Sequence, residues 1–342
     1  MQSQTSVTLK APYLLFIGDI SDMVYAKTAA GIIQWNAESV AGILRFEGNA
    51  LDLGVQDMSI DEAIRAGVQS LVIGVAPMGG SVSSGWLEVL IEAARKGLDI
   101  VSGLHVNLQT FGELVSAADS SGAKLINVRT PPTSLPVGKG TKRTGNRLLT
   151  VGTDCAVGKK YTALAITQAL KDCSIPATFR ATGQTGIMIS GRGIPIDAVV
   201  ADFISGAAEL VSPENSADHW DVIEGQGSLF HPAYAGVSLG LLHGSQPDAL
   251  VICHDATRTT VAGCPEFSVP SLQECITANI RCARLTNPNA KVVGVSVNTS
   301  KLAPEERSKY LADLSKSLEL PCVDPIIDGC HSIVPNLLNL NK

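Results

Sequence analysis

Aromatic residues make up only 4% of this 342-residue chain, too few for the stacking surface that holds single-stranded nucleic acid. Basic residues are outnumbered: 26 Lys and Arg stand against 32 Asp and Glu, for a net charge of −6. A duplex-binding footprint is therefore absent. No window reaches the ~18 uninterrupted apolar residues of a membrane span. The opening MQSQTSVTLK has no charged region leading into an apolar run. The expectation is a cytoplasmic protein that binds neither nucleic acid nor membrane. Its eight cysteines include no C-x-x-C pair and are expected to be reduced thiols. Cys253-His254 and Cys330-His331 lack a second pair at ligand spacing, so structural zinc is not expected. No G-x-G-x-x-G is present, which argues against a nicotinamide cofactor. There is no internal repeat.

What is present is a large apolar fraction, 45%, with 17% charged residues. That is the composition of a globular chain, and its length suits two cores. Short apolar runs alternate with helical patterns. Strands are expected at 13–17, 40–46, 69–75, 99–102 and 124–128, with helices at 59–66, 86–96 and 111–120. Ser59 followed by Glu62 has the spacing of a capping box. This rhythm predicts an α/β protein with parallel sheets covered on both faces. Residues 130–146 break it with three prolines, three glycines and three basic residues. The boundary is placed here, giving domains 1–135 and 136–342. Beyond it, strands are expected at 147–151, 177–180, 221–224, 249–253 and 291–297, and helices from the turn after 151 to about 170, at 271–283 and at 304–318.

The turn after residue 151 carries the most information. Gly152-Thr153-Asp154-Cys155-Ala156-Val157-Gly158-Lys159-Lys160-Tyr161 lies between an apolar strand and a helix. Such a glycine-rich turn points backbone N–H groups and a helix dipole at phosphate oxygens, and the lysine adds a charge. Two departures from the common P-loop matter. Five residues separate Gly152 from Gly158, and Lys160 stands where a Ser or Thr would hold magnesium. A lysine there supplies the neutralising charge itself and disfavours a divalent cation. Thr162 lies two residues on and is poorly placed to replace that hydroxyl. The loop suits a ligand whose phosphates are held and not cleaved, such as coenzyme A, and no metal is expected.

The five-residue spacing resembles dethiobiotin synthetase and its relatives. Val222-Ile-Glu224-Gly225-Gln226-Gly227 is similar to their Walker-B-end segment, and Gly294-Val-Ser-Val-Asn298 to the segment that places an Asn near the base. Along nearly its whole length the chain resembles a bacterial family of formerly unknown function. That family pairs an N-terminal Rossmann-like domain with a C-terminal P-loop domain, and it includes a D-glutamate N-acetyltransferase. The segments carrying the likeness are Gly18-Asp19 with Ala26-Lys27-Thr28-Ala29, Gly74 through Gly80, Val101 through His105, the P-loop, Thr182 through Gly186, and Glu224 through Gly227. The resemblance implies acetyl transfer from acetyl-CoA to the amino group of an acidic amino acid. It also implies a small-molecule substrate, a homo-oligomer, and a downstream enzyme that processes the N-acetyl product. Two other readings stand beside it: an ATP- and magnesium-dependent ligase or carboxylase, and a non-enzymatic nucleotide-sensing module.

Aminolysis of a thioester needs a deprotonated amine, a stabilised oxyanion and a bound acidic side chain. Glu224 is the first candidate base, because without metal a Walker-B carboxylate should meet a cation such as the substrate ammonium. A structural carboxylate is its bland alternative. His231, in the same loop, is a second candidate base or a loop-packing histidine. Asp154 could orient the amine or cap the helix. Cys155, at the expected helix start, is a weaker candidate for a covalent route. Arg180, Gln184, Thr185, Gln226 and Arg258 are candidates for holding the substrate, the arginines by bidentate carboxylate binding; surface ion pairs are their alternative. Lys27 and His105 could complete the site from the N-terminal domain, which weakly resembles the CoA-binding domain of succinyl-CoA synthetase. Gly79-Gly80 and Ser102 through His105 are expected at its strand ends. Lys139, Lys142 and Arg143 could contact a phosphate or lie in a solvated linker.

Overall fold

The computed structural model describes residues 6–23, 25–75 and 82–340. The glycine pair Gly79-Gly80 lies outside the described residues. The chain forms two compact units. One comprises residues 6–132 and 183–198; the other contains 133–182 and the chain from 199 onward. The change near residue 132 sits close to the expected boundary at 135, but 183–198 returns to the first unit, which no feature of the sequence announced.

The first unit is built on a five-stranded parallel sheet. Its strands lie in the order Val40–Arg45, Tyr13–Gly18, Ser70–Ile73, Asp99–Ser102 and Leu125–Asn127. Tyr13–Gly18 is buried at every position, which is why it reads as an unbroken apolar run and not as an alternation. Helices Lys27–Trp35, Ile60–Arg65, Ser84–Arg95 and Gly112–Ser121 connect the strands. The Ser59 hydroxyl accepts from the Glu62 amide and Glu62 reaches back to the Ser59 amide, so the capping box forms. Trp86 packs edge-on against Phe16, and its indole N–H donates to Asp19 at 2.7 Å. The returning segment adds the helix Gln184–Ser190 and a short antiparallel pairing of Arg192–Gly193 with Val7–Thr8.

The second unit has a six-stranded parallel sheet. Across it lie Cys322–Val323, Lys291–Asn298, Ala249–Asp255, Asn146–Gly152, Trp220–Ile223 and Ala177–Arg180. Asn146–Gly152 is thus central, and the turn that follows it opens at the carboxyl edge of the sheet, where ligands bind in such folds. The helix Lys159–Asp172 follows that turn. Ser271 and Glu274 form a capping box for Leu272–Ala283. Pro304, with Glu305 and Glu306 in the first turn, starts Pro304–Leu318. Two helices, Ile204–Val211 and Ala235–Ser245, and a small antiparallel hairpin, Thr260–Val261 with Cys264–Ser268, were not expected.

The segment before Asn146 is an ordered part of this unit. Arg143 donates to the carbonyls of Ser212 and Gly244 at 2.9 Å each and to the Gln246 side chain. Burial, with Arg147 nearby, pushes Arg143 down to about 10, which leaves it charged at neutral pH. Lys142 pairs with Asp248 at 2.7 Å, and the Lys139 and Gly140 amides donate to Glu209. Asp248 precedes its strand, so these contacts lie at the amino edge of the sheet. Of the two alternatives, a phosphate contact or a solvated linker, Lys142 and Arg143 show neither: their charges hold the segment to the edge opposite the loop.

Candidate active site

Gly158 caps the helix Lys159–Asp172 with a φ of 97°, a left-handed conformation that suits glycine. Ala156, exposed at the tip, is also left-handed with a φ of 53°. Left-handed residues of this kind allow the tight turns by which such loops present amides to an anion. Thr153, Asp154 and Val157 are buried and build the loop from beneath. The Thr153 amide donates to the Cys253 carbonyl, and its hydroxyl pairs with His254 Nδ1 at 3.0 Å. Ser228 donates to the Gly152 carbonyl.

Lys159 is 7% exposed and donates to the Asp154 carbonyl at 2.8 Å. Burial pushes its ammonium below the usual lysine range, against the weaker opposing pull of nearby cysteines and Asp154. Lys160 is half-buried, its ammonium 4.3 Å above the Tyr161 ring. The Thr162 hydroxyl is turned inward, bonding the Gly158 carbonyl and Ser296 at 2.7 Å, so it is not presented to the loop. Asn298 ends its strand opposite Asp255, and its side-chain oxygen accepts from the Ser300 amide.

Asp154 is fully buried and densely bonded. One carboxylate oxygen accepts from the Cys155 amide at 2.6 Å. The other accepts from Arg258 at 2.9 Å and from the Ala262 amide at 2.7 Å. Arg258 also donates to the Cys155 carbonyl at 2.6 Å and lies 3.7 Å from Asp255. The structure instead gives Arg258 carboxylate partners within the protein, where the sequence suggested a substrate carboxylate. Burial acts to raise Asp255, but the Thr257 amide and hydroxyl, Arg258 and Lys301 outweigh it and hold the carboxylate below its usual range.

His231 is buried too. Its Nδ1 accepts the Ala233 amide at 3.1 Å, and its Nε2 lies 3.0 Å from the Ala262 carbonyl. An amide cannot accept, so Nδ1 is the lone-pair nitrogen and Nε2 carries the proton. Asp154, Cys155 and His231 bring potential metal-ligand atoms within 4.8 Å of one another. The imidazole, however, has no lone pair to give without losing the Ala233 contact. Cys155 precedes the helix, and burial pushes its thiol up, with Lys159 and Arg258 acting the other way. Burial thus opposes the lowering that a helix start would give, which weakens the covalent route.

Glu224 follows the Trp220–Ile223 strand and is 4% exposed. It accepts from the Thr182 amide at 3.0 Å, and the Thr182 hydroxyl donates back to the Glu224 carbonyl at 2.6 Å. Gln226 donates to the same hydroxyl. Thr182, a residue the sequence reading passed over, thus organises the end of this strand; its place in Thr182-Gly-Gln-Thr-Gly186 was the available signal. Arg180 was expected to reach the substrate. Its guanidinium instead pairs with Asp221 at 2.7 Å. Asp221 lies two residues before Ile223, the residue in register with Arg180, so the side chain runs back from the carboxyl edge. Gln184 and Thr185 begin a helix of the other unit, where Lys27 and His105 are both exposed. The alternative of a buried, satisfied His105 is thereby corrected.

Known proteins resemble this chain throughout. A P-loop domain of unknown function, DUF1611_C, matches residues 136–334, and a Rossmann-like domain of unknown function, DUF1611_N, matches 47–131. A D-glutamate N-acetyltransferase from Pseudoalteromonas sp. is 52% identical over 96% of this chain and 99% of its own length. Another, from Tritonibacter scottomollicae, is 47% identical with the same coverage. The crystal structure of a DUF1611 family protein from Anabaena variabilis superposes with a TM-score of 0.83 at 29% identity, covering 96% of this chain and 99% of that one.

Proposed function

The chain belongs to the DUF1611 family, and from that premise we propose that it is a D-glutamate N-acetyltransferase using acetyl-CoA as the acyl donor. The observation that carries this reading is 52% identity, end to end, with a relative of that name. The loop is chemically suited to the donor. Lys159 has donors beyond the one spent on Asp154, and Lys160 replaces the hydroxyl with which a nucleotide-cleaving P-loop holds magnesium. The family resemblance, not the loop, supplies the substrate.

In the reaction the amino nitrogen attacks the thioester carbonyl, a C–N bond forms, and the C–S bond breaks. The ammonium proton must first reach a base, and the departing thiolate must gain a proton. We assign the base to Glu224, the carboxylate at the end of the strand whose next residue, Gly225, lies against Lys159. Both oxygens of Asp154 are committed to N–H donors, and His231 spends its lone pair on an amide. Cys155 is a poor acyl acceptor because burial pushes its thiol up, which disfavours the thiolate. The same reading makes the protein a cytoplasmic enzyme and a homo-oligomer whose N-acetyl product passes to a further processing enzyme.

The test is thiol release from acetyl-CoA with D- or L-glutamate, with and without EDTA, and with ATP and magnesium. Release with D-glutamate alone, insensitive to EDTA, is expected. A strict requirement for ATP and magnesium would sink the proposal in favour of a ligase, and binding without turnover would favour a sensing module.

A further inference from the structure

The hairpin Thr260–Val261 with Cys264–Ser268 is too small to be stable alone. Its outer strand is mostly exposed, with Phe267 at 53%. What fixes it is Ala262, in the turn between the two strands. The Ala262 amide donates to Asp154 at 2.7 Å, and its carbonyl faces His231 Nε2 at 3.0 Å. One residue is held from both sides, its amide by the phosphate loop and its carbonyl by the loop after Gly227. Arg258 closes the arrangement by bonding both Asp154 and the Cys155 carbonyl.

We infer that Asp154, His231 and Arg258 are positioning residues that clamp Ala262, so that the 260–268 hairpin becomes a fixed wall of the acyl-donor site. The inference rests on the proposed acetyl-CoA site and says how that site is shaped. None of the three residues handles a proton of the reaction. Asp154 accepts from three N–H donors, Arg258 is paired with it, and His231 is held as the Nε2–H tautomer by the Ala233 amide. Loss of the clamp loosens the wall and weakens donor binding, while the reacting groups stay in place.

The experiment compares His231→Ala with His231→Gln in steady-state assays across pH, alongside amide hydrogen exchange of the unaltered protein. His231→Ala is expected to raise KM for acetyl-CoA about tenfold, with kcat within about threefold, as for loss of one buried hydrogen bond. His231→Gln, whose side-chain amide can donate to the Ala262 carbonyl, should recover most of that KM, and the pH profile should keep its shape in both. A fall in kcat of about a hundredfold in both variants, with KM kept and the ascending limb lost, makes His231 the base and overturns the inference. So does a His231→Ala variant that matches the parent. Should that variant fail to fold, or the protein transfer no acetyl group, exchange still decides. The Ala262 amide should exchange as slowly as those of the Ala249–Asp255 strand; exchange as fast as the exposed outer strand refutes the clamp.

Discussion

Gly225 lies against Lys159: a Cβ added to Gly225 would sit 3.1 Å from the lysine Cδ and 1.7 Å from the Thr150 carbonyl oxygen. The end of one strand and the loop lysine therefore share one surface. Gly225→Ala has nowhere to place its methyl group except by moving the strand or the lysine stem. A stability loss of about 1–3 kcal/mol is expected from overpacking, with weakened coenzyme A binding. Urea melts and calorimetric titration check the two together. A variant with parental affinity would mean that the lysine is not held by this contact.

Lys159→Ala and Glu224→Gln should separate binding from chemistry. Loss of a charged phosphate contact, about 1.5–3 kcal/mol, should weaken coenzyme A binding roughly ten- to hundredfold for Lys159→Ala. Glu224→Gln should retain affinity and lose about a hundredfold or more in kcat. Equal behaviour of the two variants would refute the division of roles.

The buried ammonium predicts a pH dependence of donor binding. A lysine is charged below its pKa, and burial lowers that of Lys159. The free loop should thus lose its charge at a lower pH than an ordinary lysine, near 10.4. Bound phosphate favours the protonated form and raises the pKa again. Between the two values binding takes up a proton, and Kd rises with pH. Calorimetry in buffers of different ionisation enthalpy measures the uptake. Affinity that stays flat up to the ordinary lysine range would contradict it.

Lys160→Thr restores the hydroxyl of a magnesium-holding loop and removes a charge. Coenzyme A binding without metal should weaken about tenfold, and binding of ATP should acquire a magnesium dependence. Titrations with and without EDTA read both effects.

Arg147 is fully buried at the amino end of the central strand. Its guanidinium donates to the carbonyls of Ser212, Arg143, Gly145, Thr144 and Pro213. Arg147→Leu leaves several of those oxygens unsatisfied. A loss of about 3–5 kcal/mol is expected, by analogy with breaking a buried charge network. Activity per folded molecule should persist, since the active loop lies at the other end of the strand. Denaturant melts with activity normalised to the folded fraction test this.

Much of this architecture is written in local sequence. Residues 13–17 and 249–253 read as strands because both faces of a parallel sheet are buried, and Ser59 with Glu62 announces its own helix start. The phosphate loop was legible because its chemistry is carried by adjacent residues. Two of the helices that were missed show a physical reason. Ala235–Ser245 is apolar and glycine-containing all round, so no polar face marks its period, and Ile204–Val211 has only 8 residues, little more than two turns. Side-chain roles failed where the partner is distant in the chain. Arg180 finds Asp221, and Arg258 finds Asp154 across about a hundred residues. A lone arginine carries no sign of which carboxylate will claim it.

The return of residues 183–198 to the first unit bears on how the chain is made. The five-stranded sheet has its last strand by Asn127, yet the unit lacks a helix until residues 133–182, 50 in all, have also been synthesised. At roughly 5–20 residues per second that is a wait of about 2.5–10 s with an apolar helix-binding face uncovered on the ribosome. Expression of residues 1–135 alone would make that wait permanent.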